Sequence, residues 1–131
     1  MEIADNTMRK LLPGQVWLVG AGPGDPGLLT LHAVNGLQQC DCVVYDALVG
    51  NKILDFAPKD ALRIYAGKRG GRASATHNDI SKHLVELAKE GKKVIRLKGG
   101  DPLVFARGGE EVRALKAANI PFAVVPGITA G

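Results

Sequence analysis

"VWLVGAGPGDPG", residues 16–27, joins an apolar run to a turn built of glycine and proline. A glycine-rich turn after a strand usually cradles a phosphate on backbone N–H groups. Pro23 and Pro26 each remove one such donor, and Asp25 puts a negative charge where a pyrophosphate would lie. Gly22, Gly24 and Gly27 still satisfy G-x-G-x-x-G, and Asp46 follows where a ribose-binding acid would sit. A dinucleotide site is therefore the first reading, and the prolines and Asp25 weigh against it. The stretch opens an α/β pattern whose first turn holds something other than a bare phosphate.

Outward from this turn the pattern alternates. Residues 16–21 read as a buried strand, and residues 30–39 as a helix capped by Thr30 with Leu31, Val34 and Leu37 on one face. CVVYD (42–46) is a second strand, NKILDFA (51–57) a short helix closed by Pro58, and ALRIYA (61–66) a third strand. Ile80, Leu84, Leu87 and Ala88 mark a helix over 76–90, with Lys89 in its last turn and Gly91 as its C′ residue. KVIRLK (93–98) is a fourth strand. A helix over 109–118 carries Glu110 and Glu111 at its positive end, and FAVVP (122–126) is a fifth strand. Repeated β-α units predict an α/β fold: a five-stranded, mainly parallel sheet with helices on both faces. Residues 1–13 read as a flexible leader and 14–131 as one α/β domain.

Composition narrows the classes. The chain has 131 residues, 46% hydrophobic and 23% charged, which suits one globular domain. No apolar run approaches the roughly 18 residues of a membrane span, and the N-terminus does not read as a secretory signal, so cytoplasm is expected. The net charge of +4 raises nucleic acid as a partner, but aromatics are 5% and the basic residues form no dense run. The richest basic stretch, GKRGGR (67–72), suits a small polyanion as well. Cys40 and Cys42 form a lone C-x-C with no further Cys to complete a zinc set, and read as packing residues, with no metal expected.

The unusual residues gather after the strands: GAGPGDPG, YDALVG, GKRGGR, GGDPLVFARGG and PGITAG each follow one. In open parallel sheets the carboxyl edge is where ligands bind. Turns alone would account for one glycine-rich loop; five at one edge point to a cleft. In GGDP (99–102) two glycines allow close backbone approach, Asp101 offers a carboxylate and Pro102 pins the chain. That suits a ligand with polar edges and some positive charge.

The segments at 19–33, 43–49, 66–72, 96–111 and 124–131 together resemble the uroporphyrinogen-III C-methyltransferases, of the tetrapyrrole methylase superfamily, across residues 15–131. The resemblance implies an enzyme that uses S-adenosyl-L-methionine, releases S-adenosyl-L-homocysteine, and methylates two pyrrole carbons of uroporphyrinogen III to give precorrin-2, for siroheme and cobalamin. It implies cofactor contacts at Pro23, Gly99, Gly100, Asp101, Val104, Thr129 and Ala130. It implies Asp46 as proton acceptor, Lys68 as proton donor, and a homodimer. The substrate's acetate and propionate groups would meet Lys68, Arg69 and Arg72. Neither nucleic acid nor membrane is expected as a partner.

Alternatives stay open. Asp46 could cap the next turn, and Lys68 could be a carboxylate anchor. The chain departs from the family pattern at 73–77, ASATH in place of H-S-x-x-Q, and at Ala106 where glycine is usual. Members of the family continue into a second domain, so the chain reads as an N-terminal half, expected to fold at least in part and to be inactive alone. Other functions kept in view are a methyltransferase for another corrin precursor and a non-catalytic nucleotide- or anion-binding module.

Overall fold

The computed structural model describes residues 10–20, 30–45, 51–66, 77–98 and 109–125. Five strands alternate with four helices: β1 (Val16–Gly20), α1 (Leu31–Gln39), β2 (Cys42–Tyr45), α2 (Asn51–Leu54), β3 (Leu62–Tyr65), α3 (His77–Lys89), β4 (Val94–Lys98), α4 (Gly109–Ala117) and β5 (Phe122–Val125). The sheet order is β3-β2-β4-β1-β5 and every pairing is parallel. The predicted architecture is therefore the observed one.

Alternating residues of each central strand serve opposite faces. Trp17, Val19, Val43, Ile95 and Leu97 pack with Leu37 of α1 and with Ile53 and Leu54 of α2. Val16, Leu18, Val44 and Val94 pack with Ile80, Leu84 and Leu87 of α3 and with Leu115 of α4. The chain thus moves one way across the sheet with helices on one face. It then returns the other way with helices on the other face, as a single crossover hand requires.

Local signals explain the element ends. The Thr30 hydroxyl accepts from the Ala33 N–H at 3.1 Å, the expected cap of α1. Gly91 takes φ +83° just beyond α3, a left-handed stop that glycine adopts without cost. Arg63 donates to the Leu54 and Ala57 carbonyls at 3.2 and 3.4 Å, bracing the turn that follows α2.

Two expectations differ. Leu31 is 87% exposed; α1 instead buries Ala33, Gly36 and Leu37. The reason is Gly36, whose bare Cα lets the helix press onto Trp17. A Cβ there would lie 2.7 Å from Trp17 Cε3. That contact turns the buried stripe away from Leu31. The packed layer also begins before Pro13: Leu11 is fully buried, and its N–H donates to Gln39 Oε1 at 3.0 Å.

Cys40 and Cys42 are buried in different clusters on the two faces, as packing residues. Burial, first of all, pushes their thiols up to about 12 and about 11. Among the described residues no helix is long and apolar enough to cross a membrane.

Candidate functional site at the carboxyl edge

All five strands run parallel, so their carboxyl ends share one edge. The register sets Gly20 opposite Lys98, Tyr45 opposite both Leu97 and Tyr65, and Val19 opposite Val125. Every glycine-rich connection of the sequence departs from this edge.

β4 lies between β2 and β1. The helices after β1 and β2 pack on one face, while the helix after β4 packs on the other. In such sheets the usual ligand position is where connections part to opposite faces, and here that point is the end of β4. The proline-containing turn leaves from Gly20 and the Asp46 segment from Tyr45, on the strands either side of it.

The residues singled out from the sequence, Pro23, Asp46, Lys68, Arg69, Arg72, Gly99, Gly100, Asp101, Val104, Thr129 and Ala130, lie outside the described residues. The strand ends beside them are described. Asp46 directly follows β2, Gly99 directly follows β4, and Lys68 lies two residues past Ala66. These three attachment points belong to adjacent or next-but-one strands of one edge.

Around that edge the structure adds groups that belong to none of the motifs. Tyr45 and Tyr65 meet edge to face, with ring centroids 5.4 Å apart, an arrangement their ring quadrupoles favour. On the α3 face a cleft of about 340 Å³ opens beside edge strand β3, lined by Tyr65, Ala66, Ile80 and His83 among others. Beneath the edge, Arg96 of β4 and Glu111 of α4 are both buried and paired, Nε to Oε1 at 3.3 Å. The available signal was an arginine interrupting the apolar strand VIRLK.

A five-stranded parallel sheet with helices on both faces, its glycine-rich segments all leaving from one edge, defines the class: an open α/β domain. The chain belongs to the tetrapyrrole (corrin/porphyrin) methylase family, whose model matches residues 15–131. It is 61% identical over 118 residues to a uroporphyrinogen-III C-methyltransferase of Sinorhizobium, covering 90% of this chain and 42% of that protein. It is 56% identical to a uroporphyrinogen-III C-methyltransferase of Methanocaldococcus jannaschii, covering 90% of this chain and 49% of the relative. A crystal structure of uroporphyrin-III C-methyltransferase from Thermus thermophilus superposes with a TM-score of 0.77 at 44% identity, covering 89% of this chain and 49% of that one. A structure of the Thermus protein with S-adenyl homocysteine gives 0.73 at 45% identity, covering 88% and 46%. The chain thus spans less than half the length of these relatives.

Proposed function

We propose that this chain is the N-terminal α/β portion of an S-adenosyl-L-methionine-dependent enzyme that C-methylates uroporphyrinogen III at two pyrrole carbons to give precorrin-2. The observation that carries the reading is the strand order: β4 lies between β2 and β1 with its following helix on the opposite face, so the segments that match the family's cofactor and proton-transfer positions leave from neighbouring strand ends. Identity of 61% to a protein named for this activity supports it.

The residue types at the edge fit the cofactor. The turn at 20–27 has lost two N–H donors to proline and carries Asp25, so it suits a sulfonium compound better than a pyrophosphate. Pro23, Gly99, Gly100, Asp101, Val104, Thr129 and Ala130 would hold it, with Asp101 as the charged acceptor. When bound, S-adenosyl-L-methionine supplies an electrophilic methyl group.

The chain's own part is proton handling and substrate orientation. Methylation makes the already substituted pyrrole carbon quaternary and leaves positive charge on the ring, which is discharged by loss of a proton from a neighbouring position of the macrocycle. Asp46 is the base, and its carboxylate also stabilises that charge. Arg69 and Arg72 pair with rim carboxylates of the substrate, Arg being suited to bidentate contact. Lys68 is the proton donor, or a further carboxylate anchor. The enzyme acts as a homodimer in the cytoplasm.

A second reading, a methyltransferase for another corrin precursor, has a specific observation behind it. The structure of cobalt-precorrin-4 methyltransferase also superposes at a TM-score of 0.77, at 29% identity. A titration of the complete protein with S-adenosylhomocysteine and with NAD tests the cofactor class. Saturable binding of the former is expected, and preference for NAD would overturn the proposal.

A further inference from the structure

Arg96 and Glu111 are the buried charged residues among those described, 3% and 0% exposed. Arg96 points into the α3/α4 face of the sheet between apolar neighbours; its register partners are Leu18 and Val44. Its guanidinium donates from Nη1 to the Leu97 carbonyl at 3.2 Å and to the Val44 carbonyl at 3.4 Å. Its Nε donates to Glu111 Oε1 at 3.3 Å. The other carboxylate oxygen, Glu111 Oε2, is buried and has no hydrogen-bond partner among the described residues.

As a stabilising element this is a poor arrangement. Two ions leave water, the contact between them is long, and among the described residues one oxygen has no partner. Apolar residues of similar volume do at least as well in such places. Nor is the pair needed to hold α4 on the sheet, because Leu115, one turn further on, is fully buried in the same cluster.

Its position gives it another use. Arg96 lies two residues before the end of β4, and Glu111 two residues after the start of α4. The pair therefore ties together the two ends of the connection spanning 99–108, and it also grips β2 through the Val44 carbonyl. Leu115, Val112 and the neighbouring α3 press the helix onto the sheet through apolar contacts, which carry no direction. The Arg96–Glu111 contact adds a directional one from the helix's first turn.

We infer that Arg96 and Glu111 are positioning residues for cofactor binding, setting where α4 begins relative to the end of β4. The inference rests on the proposed S-adenosyl-L-methionine site. Support of this kind acts through geometry: a small displacement of a positioned group costs much of its effect.

The test uses the complete protein carrying this chain. Glu111→Gln, and the apolar pair Arg96→Met with Glu111→Leu, are compared with the unaltered protein by thermal unfolding and by calorimetric titration with S-adenosylhomocysteine. Glu111→Gln is expected to raise the dissociation constant about tenfold. The apolar pair is expected to melt at or above the unaltered protein's temperature and still bind weakly. A purely structural role predicts that the apolar pair binds normally once folded, and that result overturns the inference, as does unchanged binding in Glu111→Gln. If the apolar pair does not fold, Glu111→Gln decides alone. Absence of binding by the unaltered protein marks failure of the parent reading, and the inference falls with it.

Discussion

Gly20 lies directly opposite Lys98 in the parallel register of β1 and β4, and the helices that follow these two strands pack on opposite faces of the sheet. The proline-containing turn and the GGDP segment therefore leave from neighbouring points of one edge, although some eighty residues separate them in sequence.

Asp101→Ala in the complete protein is expected to weaken S-adenosylhomocysteine binding more than substrate binding. A lost hydrogen bond to a charged group costs about 1.5–3 kcal/mol, at least a tenfold loss in affinity. Titration calorimetry reads it directly, and unchanged cofactor affinity would remove Asp101 from the cofactor site.

Asp46→Asn is expected to lower kcat by about 10²–10⁴-fold, the usual worth of a general base, with cofactor affinity retained. Lys68→Arg separates the two roles left for Lys68. Arginine keeps an anchoring charge but is a poor acid, so retained kcat identifies an anchor and a large fall identifies the donor. Steady-state kinetics with separate kcat and KM values gives the answer.

Gly36→Ala is expected to destabilise the fold. The added methyl meets the rigid Trp17 ring at 2.7 and 2.9 Å and Ile95 Cδ1 at 3.1 Å. Overpacking of this kind costs about 1–3 kcal/mol. It outweighs the gain of about 0.5–1 kcal/mol from replacing glycine inside a helix. A lowered midpoint in chemical denaturation checks it, and an unchanged or raised midpoint contradicts the packing described for α1.

The two thiols give an alkaline dependence. Cys40 and Cys42 are raised from 9.0 to about 12 and about 11. The unfolded chain therefore releases these protons at lower pH than the folded one. Their contribution to stability is whole below about pH 9 and is lost as pH rises through 11 and 12. In the folded protein both should resist alkylating reagents at pH 8 and react on denaturation. Rapid labelling under native conditions would show that one of them is open to solvent.

Much of the fold was legible because its signals are local. The β-α alternation, the Thr30 cap and the Gly91 stop each depend on a few neighbouring residues. The strand order was not legible, since nothing within KVIRLK says that it slips between β2 and β1. Leu31 was misplaced because helical spacing alone cannot see Trp17 pressing on Gly36. Glu111 was read as a partner of the helix dipole, and its burial against Arg96 depends on a contact 15 residues away. At the site, residue types and edge were readable, whereas the roles of individual residues came from family resemblance.

The central claim is that this edge serves methyl transfer to a tetrapyrrole. The most direct measurement incubates the complete protein with uroporphyrinogen III and methyl-labelled S-adenosyl-L-methionine and follows label into product. Two methyl groups per macrocycle, with the chromophore of a dimethylated product, are predicted. Normal S-adenosylhomocysteine binding with no label in uroporphyrinogen III, but label in a later corrin precursor, would contradict the substrate assignment. Absence of transfer to any tetrapyrrole would contradict the claim itself.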